Sequence, residues 1–208
     1  NLMAVLAAKD IYLLNRTSRE LEHRISLKKF PNTLNALKAL FFVGDGTRLY
    51  AVVGQTLFDL EVAAAKPTEQ VELPNASSIY YSQSGSRMFV GSSTGGVAVW
   101  EHGKWAHTVV PPCPEVDSIS FRPRTVELVT AGGGQLIVWR SGTLRPRLSL
   151  PIGGEGRHLL SFSHGGGRLA HSRGSQLMIR EGSTLDASSA GLDLNRRITA
   201  LDWSTTGR

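Results

Sequence analysis

Apolar residues along this chain come in short bursts bounded by Gly, Ser, Thr, Asn or Pro, as in Leu2–Leu6, Leu49–Val53, Met88–Val90, Leu136–Trp139 and Leu177–Ile179. Bursts of this kind at intervals of about 8–12 residues, separated by turn formers, predict an all-β sandwich, barrel or propeller. Helical spacing sustained over ten residues is almost absent. The best helical stretch, residues 34–42 (LNALKALFF), would be a helix only if propensity alone decided.

An internal repeat chooses among the all-β alternatives. The segments FFVGDGTRLYAVV, YYSQSGSRMFVGS, SFRPRTVELVTAG, SFSHGGGRLAHSR and DWSTTGR each carry an aromatic: Phe42, Tyr81, Phe121, Phe162 and Trp203, spaced 39, 40, 41 and 41 residues apart. A Gly- or Pro-bearing turn follows, ending in Arg48, Arg87, Arg124, Arg168 or Arg208. A second burst (TLFDL, GGVAVWE, QLIVWR, QLMIRE) ends at Leu60, Trp100, Trp139 or Arg180, spaced 40, 39 and 41. Two markers keeping step imply one repeated unit. In that unit a first strand ends at the aromatic, a second starts after the arginine, and a glycine hinge leads to a third. A weaker fourth follows, as in EQVEL, AHTVV and RLSLP. A single such sheet cannot bury both faces, so neighbouring sheets must stack about an axis.

These units resemble the WD repeats of β-propellers. The likeness rests on the period near 40, on VAVWE (Trp100, Glu101) and LIVWR (Trp139, Arg140) at the third strand, and on the turns SQSGSR and STTGR. No repeat has the family's Gly-His dipeptide, and neither tryptophan is followed by Asp, so the hydrogen-bonded tetrad implied by the resemblance is incomplete. The expected fold is one all-β propeller domain over residues 1–208 with about five blade equivalents of four antiparallel strands. The N-terminal residues read as strands two to four of a blade, and ITALDWSTTGR reads as a first strand. Either five blades close with a shared blade, or the chain is a segment of a larger propeller; the absent initial Met and the break within a turn favour the second. The resemblance implies a non-enzymatic scaffold that presents loops to protein partners inside a multi-subunit assembly.

Composition narrows the function further. Of 208 residues 41% are hydrophobic and 19% charged, and no apolar run approaches the roughly 18 residues of a membrane-spanning helix. A lone cysteine, Cys113, excludes an internal disulfide framework and fits an intracellular site, cytoplasmic or nuclear. No signal peptide is visible. The six histidines form no His-x-His or His-Glu-x-x-His array, so no metal or other cofactor is expected. The glycine clusters GDGTR, GGEGRH and HGGGR lack phosphate-loop spacing and recur at the blade period, so turn geometry explains them. Asp117 and Asp202, the acids of the first strands, read as blade-to-blade hydrogen-bond partners rather than catalysts.

Net charge is +6, which favours acidic partners. In a propeller, the loops joining strands four and one share a face with those joining two and three. That face collects Lys28, Lys29, Arg157, His158, Arg196 and Arg197 from the first set, and Lys9 and Arg173 from the second. Lys28, Lys29, Arg157, His158, Arg173, Arg196 and Arg197 are therefore the candidate partner-binding residues. The turn arginines collect on the opposite face, as an ordinary solvated feature. An alternative is a module contacting RNA or another polyanion through the basic face, although no aromatic interleaving supports base stacking.

Overall fold

The computed structural model describes residues 2–7, 10–26, 37–43, 46–73, 75–82, 87–101, 104–109, 115–153, 156–187 and 191–204; among them are strands and turns and no helix. Strands β1 (Leu2–Ala7), β2 (Asp10–Asn15) and β3 (Leu21–Ser26) form a three-stranded sheet. Four sheets of four strands follow. The first holds β4 (Leu37–Val43), β5 (Arg48–Val53), β6 (Thr56–Glu61) and β7 (Lys66–Glu72). The next holds β8 (Ala76–Ser82), β9 (Arg87–Ser92), β10 (Val97–Glu101) and β11 (Lys104–Val109). Then come β12 (Ser118–Phe121), β13 (Glu127–Gly132), β14 (Gln135–Arg140) and β15 (Arg145–Pro151). The last holds β16 (His158–Phe162), β17 (Arg168–Arg173), β18 (Gln176–Glu181) and β19 (Leu192–Asp193). Each strand pairs antiparallel with its sequence neighbour, so every sheet is a meander, the blade of a β-propeller.

The repeat wins over local propensity at Leu37–Val43, which is strand β4 paired to β5 and not a helix; residues 34–36 lie outside the described residues. Phe42, Tyr81, Phe121 and Phe162 fall at the last or next-to-last position of β4, β8, β12 and β16, as the period requires. Two expectations are corrected. Arg124 does not abut its second strand: it sits in the turn with φ +62, and Glu127 opens β13. The segment ending at Trp203 forms no first strand, since residues 194–204 carry no strand among those described. There the chain is tied by single bonds instead: Ile198 N–H donates to the Gly174 carbonyl at 2.8 Å, and the Trp203 indole N–H donates to Ser161 O at 2.8 Å. Arg208 lies outside the described residues.

Contacts divide the chain into two compact units, Asn1–Pro74 with Gln83–Ser86, and Asn75–Ser82 with Arg87–Arg208. In the first, Ile11, Leu13 and Ile25 pack with Leu49, Ala51, Val53, Phe58 and Leu60. In the second, alternation along β13 and β14 sends side chains both ways. Leu128, Ile137 and Trp139 join Phe89, Val97 and Val99 of the preceding sheet, while Val129, Ala131, Leu136 and Val138 join Leu160, Phe162 and Leu169 of the following one. A sheet covered on both faces needs unbroken apolar middle strands, and β13 and β14 are buried at nearly every position. Outer β15 is mostly exposed. Each buried Val, Leu or Phe contributes about 1.5–3 kcal/mol.

First strands of successive sheets lie side by side here, β8 against β12 and β12 against β16. Side chains lock them at the blade period: the Ser77 hydroxyl donates to Val116 O, and Leu160 N–H donates to Ser118 Oγ at 3.0 Å. Asp117 does the same, its Oδ2 accepting from His158 N–H at 3.3 Å, in the blade-to-blade role expected of it. At Gly132, φ +157, a Cβ would stand 2.3 Å from Glu115 O, so only glycine lets the strand entry pass this close.

Candidate interaction surface

Of the seven expected partner-binding residues, Lys28 and Lys29 lie outside the described residues, as do Lys9 and Cys113. The other five belong to the second unit and gather around one hairpin turn. Gly174 and Ser175 join β17 to β18, with Arg173 paired opposite Gln176. A two-residue hairpin of this kind takes glycine at its first central position because φ is positive there, and Gly174 has φ +59. Three backbone bonds pin two segments to this turn. Gly174 N–H donates to Arg157 O at 3.4 Å, Ile198 N–H to Gly174 O at 2.8 Å, and Leu194 N–H to Ser175 O at 3.1 Å. The loop before β16 and the segment after β19 therefore converge, and they bring Arg157, Arg196 and Arg197 to one place, all exposed.

Arg173 has a different job. Its Nη1 donates to the carbonyls of Ile152 and Gly153 at 3.2 and 2.7 Å, and its Nη2 to Gln176 Oε1 at 2.8 Å. It staples the loop to the turn, which leaves less of the guanidinium for a partner. Among the described residues Asp193 lies on the same segment as Arg196 and Arg197, and Asp117 reaches the His158 N–H beside Arg157. The Asn195 backbone N–H and the Ser175 hydroxyl hold the Asp193 carboxyl below the ordinary aspartate range. The Asp193 carboxylate is hydrogen-bonded within its own turn, while Arg157, Arg196 and Arg197 are exposed.

His158 is corrected: it is 1% exposed and makes no part of the surface. Its Nδ1 lies 2.9 Å from Nε2 of His171, which is itself fully buried, with the rings stacked at 5.2 Å. Arg180 Nε donates to His171 Nδ1 at 3.2 Å, and its Nη1 to Leu185 O at 2.8 Å. Since the guanidinium can only donate, neutral His171 carries its proton on Nε2 and donates it to His158 Nδ1. Burial pushes the His171 imidazolium down to about 3, with the Arg180 charge adding to the effect. His158 is lowered too, by burial first and partly offset by Asp117. Both rings are thus neutral at pH 7, structural parts of the fourth four-stranded sheet.

The repeat tryptophans are packing residues. Trp139 is fully buried, and its indole N–H donates to Thr130 Oγ1 at 2.9 Å. Trp100 is 6% exposed and meets Trp105 edge-on at 5.3 Å. Among the described residues no group of three or more His, Cys, Asp or Glu is placed to hold a metal ion. Asp202 is exposed and accepts from the N–H of Trp203. Sequence reading missed the His158–His171–Arg180 network; its trace was Arg180 standing where two other repeats have tryptophan.

No protein-family model matches the chain, and no curated protein matches its sequence. The fold does match solved structures. One, titled "Crystal Structure of Mitotic Checkpoint Complex", superposes with a TM-score of 0.76 at 14% identity over 99% of this chain. The match spans 66% of that chain. Solved chains with this likeness number 1199, so the fold alone is too widely shared to assign a task. No helix among the described residues is long and apolar enough to cross a membrane.

Proposed function

We propose that this chain is a non-enzymatic, WD-repeat-like interaction scaffold that presents loops to protein partners within an intracellular multi-subunit assembly. The observation that carries this reading is the convergence of exposed Arg157, Arg196 and Arg197 on the rigid Gly174–Ser175 turn. Loops fixed to a stiff sheet by backbone bonds bind with little ordering cost. The solved structure it superposes on is that of a complex, which supports the assembly part of the reading. Its side chains supply packing and hydrogen bonds between sheets.

The test is affinity capture with the intact protein and with the variant Arg157→Ala/Arg196→Ala/Arg197→Ala, followed by mass spectrometry. A folded variant that loses defined protein partners supports the scaffold. Capture that survives the triple substitution unchanged overturns the assignment of this surface. Nuclease-sensitive capture whose strength falls steeply with salt would favour the RNA or polyanion reading instead.

A further inference from the structure

One rule governs how the sheets stack. In β2, β6, β10 and β14 the register toward the outer strand shifts just before one residue, Leu14, Leu60, Trp100 or Trp139. Call this residue the marker; the residue before it points to the other face of the sheet. At three junctions the face that holds Leu13, Val99 or Val138 packs on the next sheet's face that holds Leu60, Trp139 or Leu169. Leu169 stands opposite Arg180, the marker of β18. Each sheet thus has a leading face and a marker face, and leading meets marker every time. In the β12–β15 sheet both are covered, the leading one burying Val129, Leu136 and Val138.

Two sheets leave one of these faces open. In the β1–β3 sheet it is the marker face. Met3, Leu14 and Leu21 stand in one rung across the three strands, and Val5, Tyr12 and Arg24 in another. Met3 is 46% and Leu21 53% exposed, and Val5 is exposed too. In the β16–β19 sheet it is the leading face. Leu177 and Ile179 occupy the repeat positions of Leu136 and Val138 but are only half-buried, and Leu192, opposite Leu177, is 56% exposed. Ser172, also opposite Leu177, keeps a buried hydroxyl with no partner among the described residues. The Trp203 indole bonds this sheet at Ser161, yet Leu192 and Leu194 stay exposed. End repeats of a stack need polar outer faces to remain soluble, and these two faces are apolar.

We infer that the two open faces dock on each other between copies of this chain, the leading face of β16–β19 in one copy receiving the marker face of β1–β3 in a second. Exposed apolar patches of this extent mark association sites, and the stacking rule names the occupant. At the three covered junctions a leading face meets a marker face, so neither open face is the complement of itself. Its complement is the other one, which the same chain carries and leaves exposed. The contact is heterologous, using a different surface on each copy, so one copy engages two neighbours. It rests on apolar faces and not on Arg157, Arg196 and Arg197. The inference goes beyond the scaffold reading, and either can fail alone.

The test is sedimentation velocity on the full chain over about a hundredfold range of concentration. Expected is a sedimentation coefficient that rises with concentration. Met3→Glu and Leu192→Glu each place a charge in one of the faces, and each should weaken association at least tenfold. Both positions are exposed, so the melting temperature should hold; Leu21→Glu and Leu194→Glu repeat the two tests at second sites. An equimolar mixture of Met3→Glu and Leu192→Glu should pair again and stop at dimers, because the first keeps its leading face and the second its marker face. Val126→Glu, at an exposed turn, should change nothing. A wild-type chain that stays monomeric throughout, single variants that associate like wild type, a mixture that stays monomeric, or equal weakening by Val126→Glu would each overturn the assignment.

Discussion

In the β12–β15 sheet, Trp139 lies opposite Leu128 and sends its indole N–H to Thr130, two residues further along β13. In the β16–β19 sheet, Arg180 lies opposite Leu169, and the residue two further along β17 is His171. One position in the repeat thus holds an apolar plate with a single neutral hydrogen bond in one sheet and a cation bonded to a buried imidazole in the next. The difference shows what the repeat constrains. In these two sheets a flat, wide group fills the space and its donor finds an acceptor one rung away, while the chemistry of the pair changes.

Removing the plate should have the largest effect. Trp139→Ala empties a fully buried site packed against Phe89, Val97 and Ile119, and should cost roughly 3–5 kcal/mol. The denaturant midpoint measures this, and a change near zero would mean the indole is not the keystone of this sheet.

Acid should separate the two sheets next. The folded pKa of His171 is about 3, below the usual imidazole value of 6.5, so between these limits the unfolded chain binds the extra proton. Stability is therefore fully present above pH 6.5 and is lost as pH falls toward 3. From pH 8 to pH 5 the loss from this ring is about 2 kcal/mol. Thermal melts across that range should show it, and a folded His171→Thr variant, which installs the residue type of Thr130, should show a flatter profile. An unchanged slope would mean that His171 titrates in the folded protein as it does in the unfolded chain.

Thr130→Val tests the neutral pair. Valine keeps the shape of threonine but removes the acceptor, leaving the Trp139 N–H buried and unpaired. The expected cost is about 1–2 kcal/mol with no pH dependence, read from urea unfolding at pH 5 and pH 8.

The same two positions mark how far the sequence can be read. The period of aromatics and turn arginines predicted the strands because it repeats, and repetition outvotes local propensity, as Leu37–Val43 shows by being strand. Convergence of Arg157, Arg196 and Arg197 was also legible, since topology alone puts those loops on one face. What stayed hidden depends on pairings across sheets. His158 looked like a surface charge because its partner His171 is 13 residues away on another strand and only register brings them together. The apolar rung of Met3, Leu14 and Leu21 is likewise invisible without knowing which residues stand opposite, because a bulge between Leu13 and Leu14 shifts the register just before it.

The smallest effect sharpens the comparison at a third sheet. Trp100 lies opposite Met88 as Trp139 lies opposite Leu128, and the residue two further along β9 is Val90. Valine offers no acceptor, and the Trp100 N–H is buried without a hydrogen-bond partner among the described residues. Val90→Thr places a hydroxyl where Thr130 has one, at nearly constant volume. If the rule drawn from the other two sheets is right, the indole donates to it and the variant gains about 1 kcal/mol. Repeating the substitution beside Trp100→Phe removes the donor, so the hydroxyl is then buried alone and the same change should destabilise. A sign reversal between the two backgrounds isolates the hydrogen bond from any change in packing, and the same sign in both would mean that the donor and the new hydroxyl do not meet.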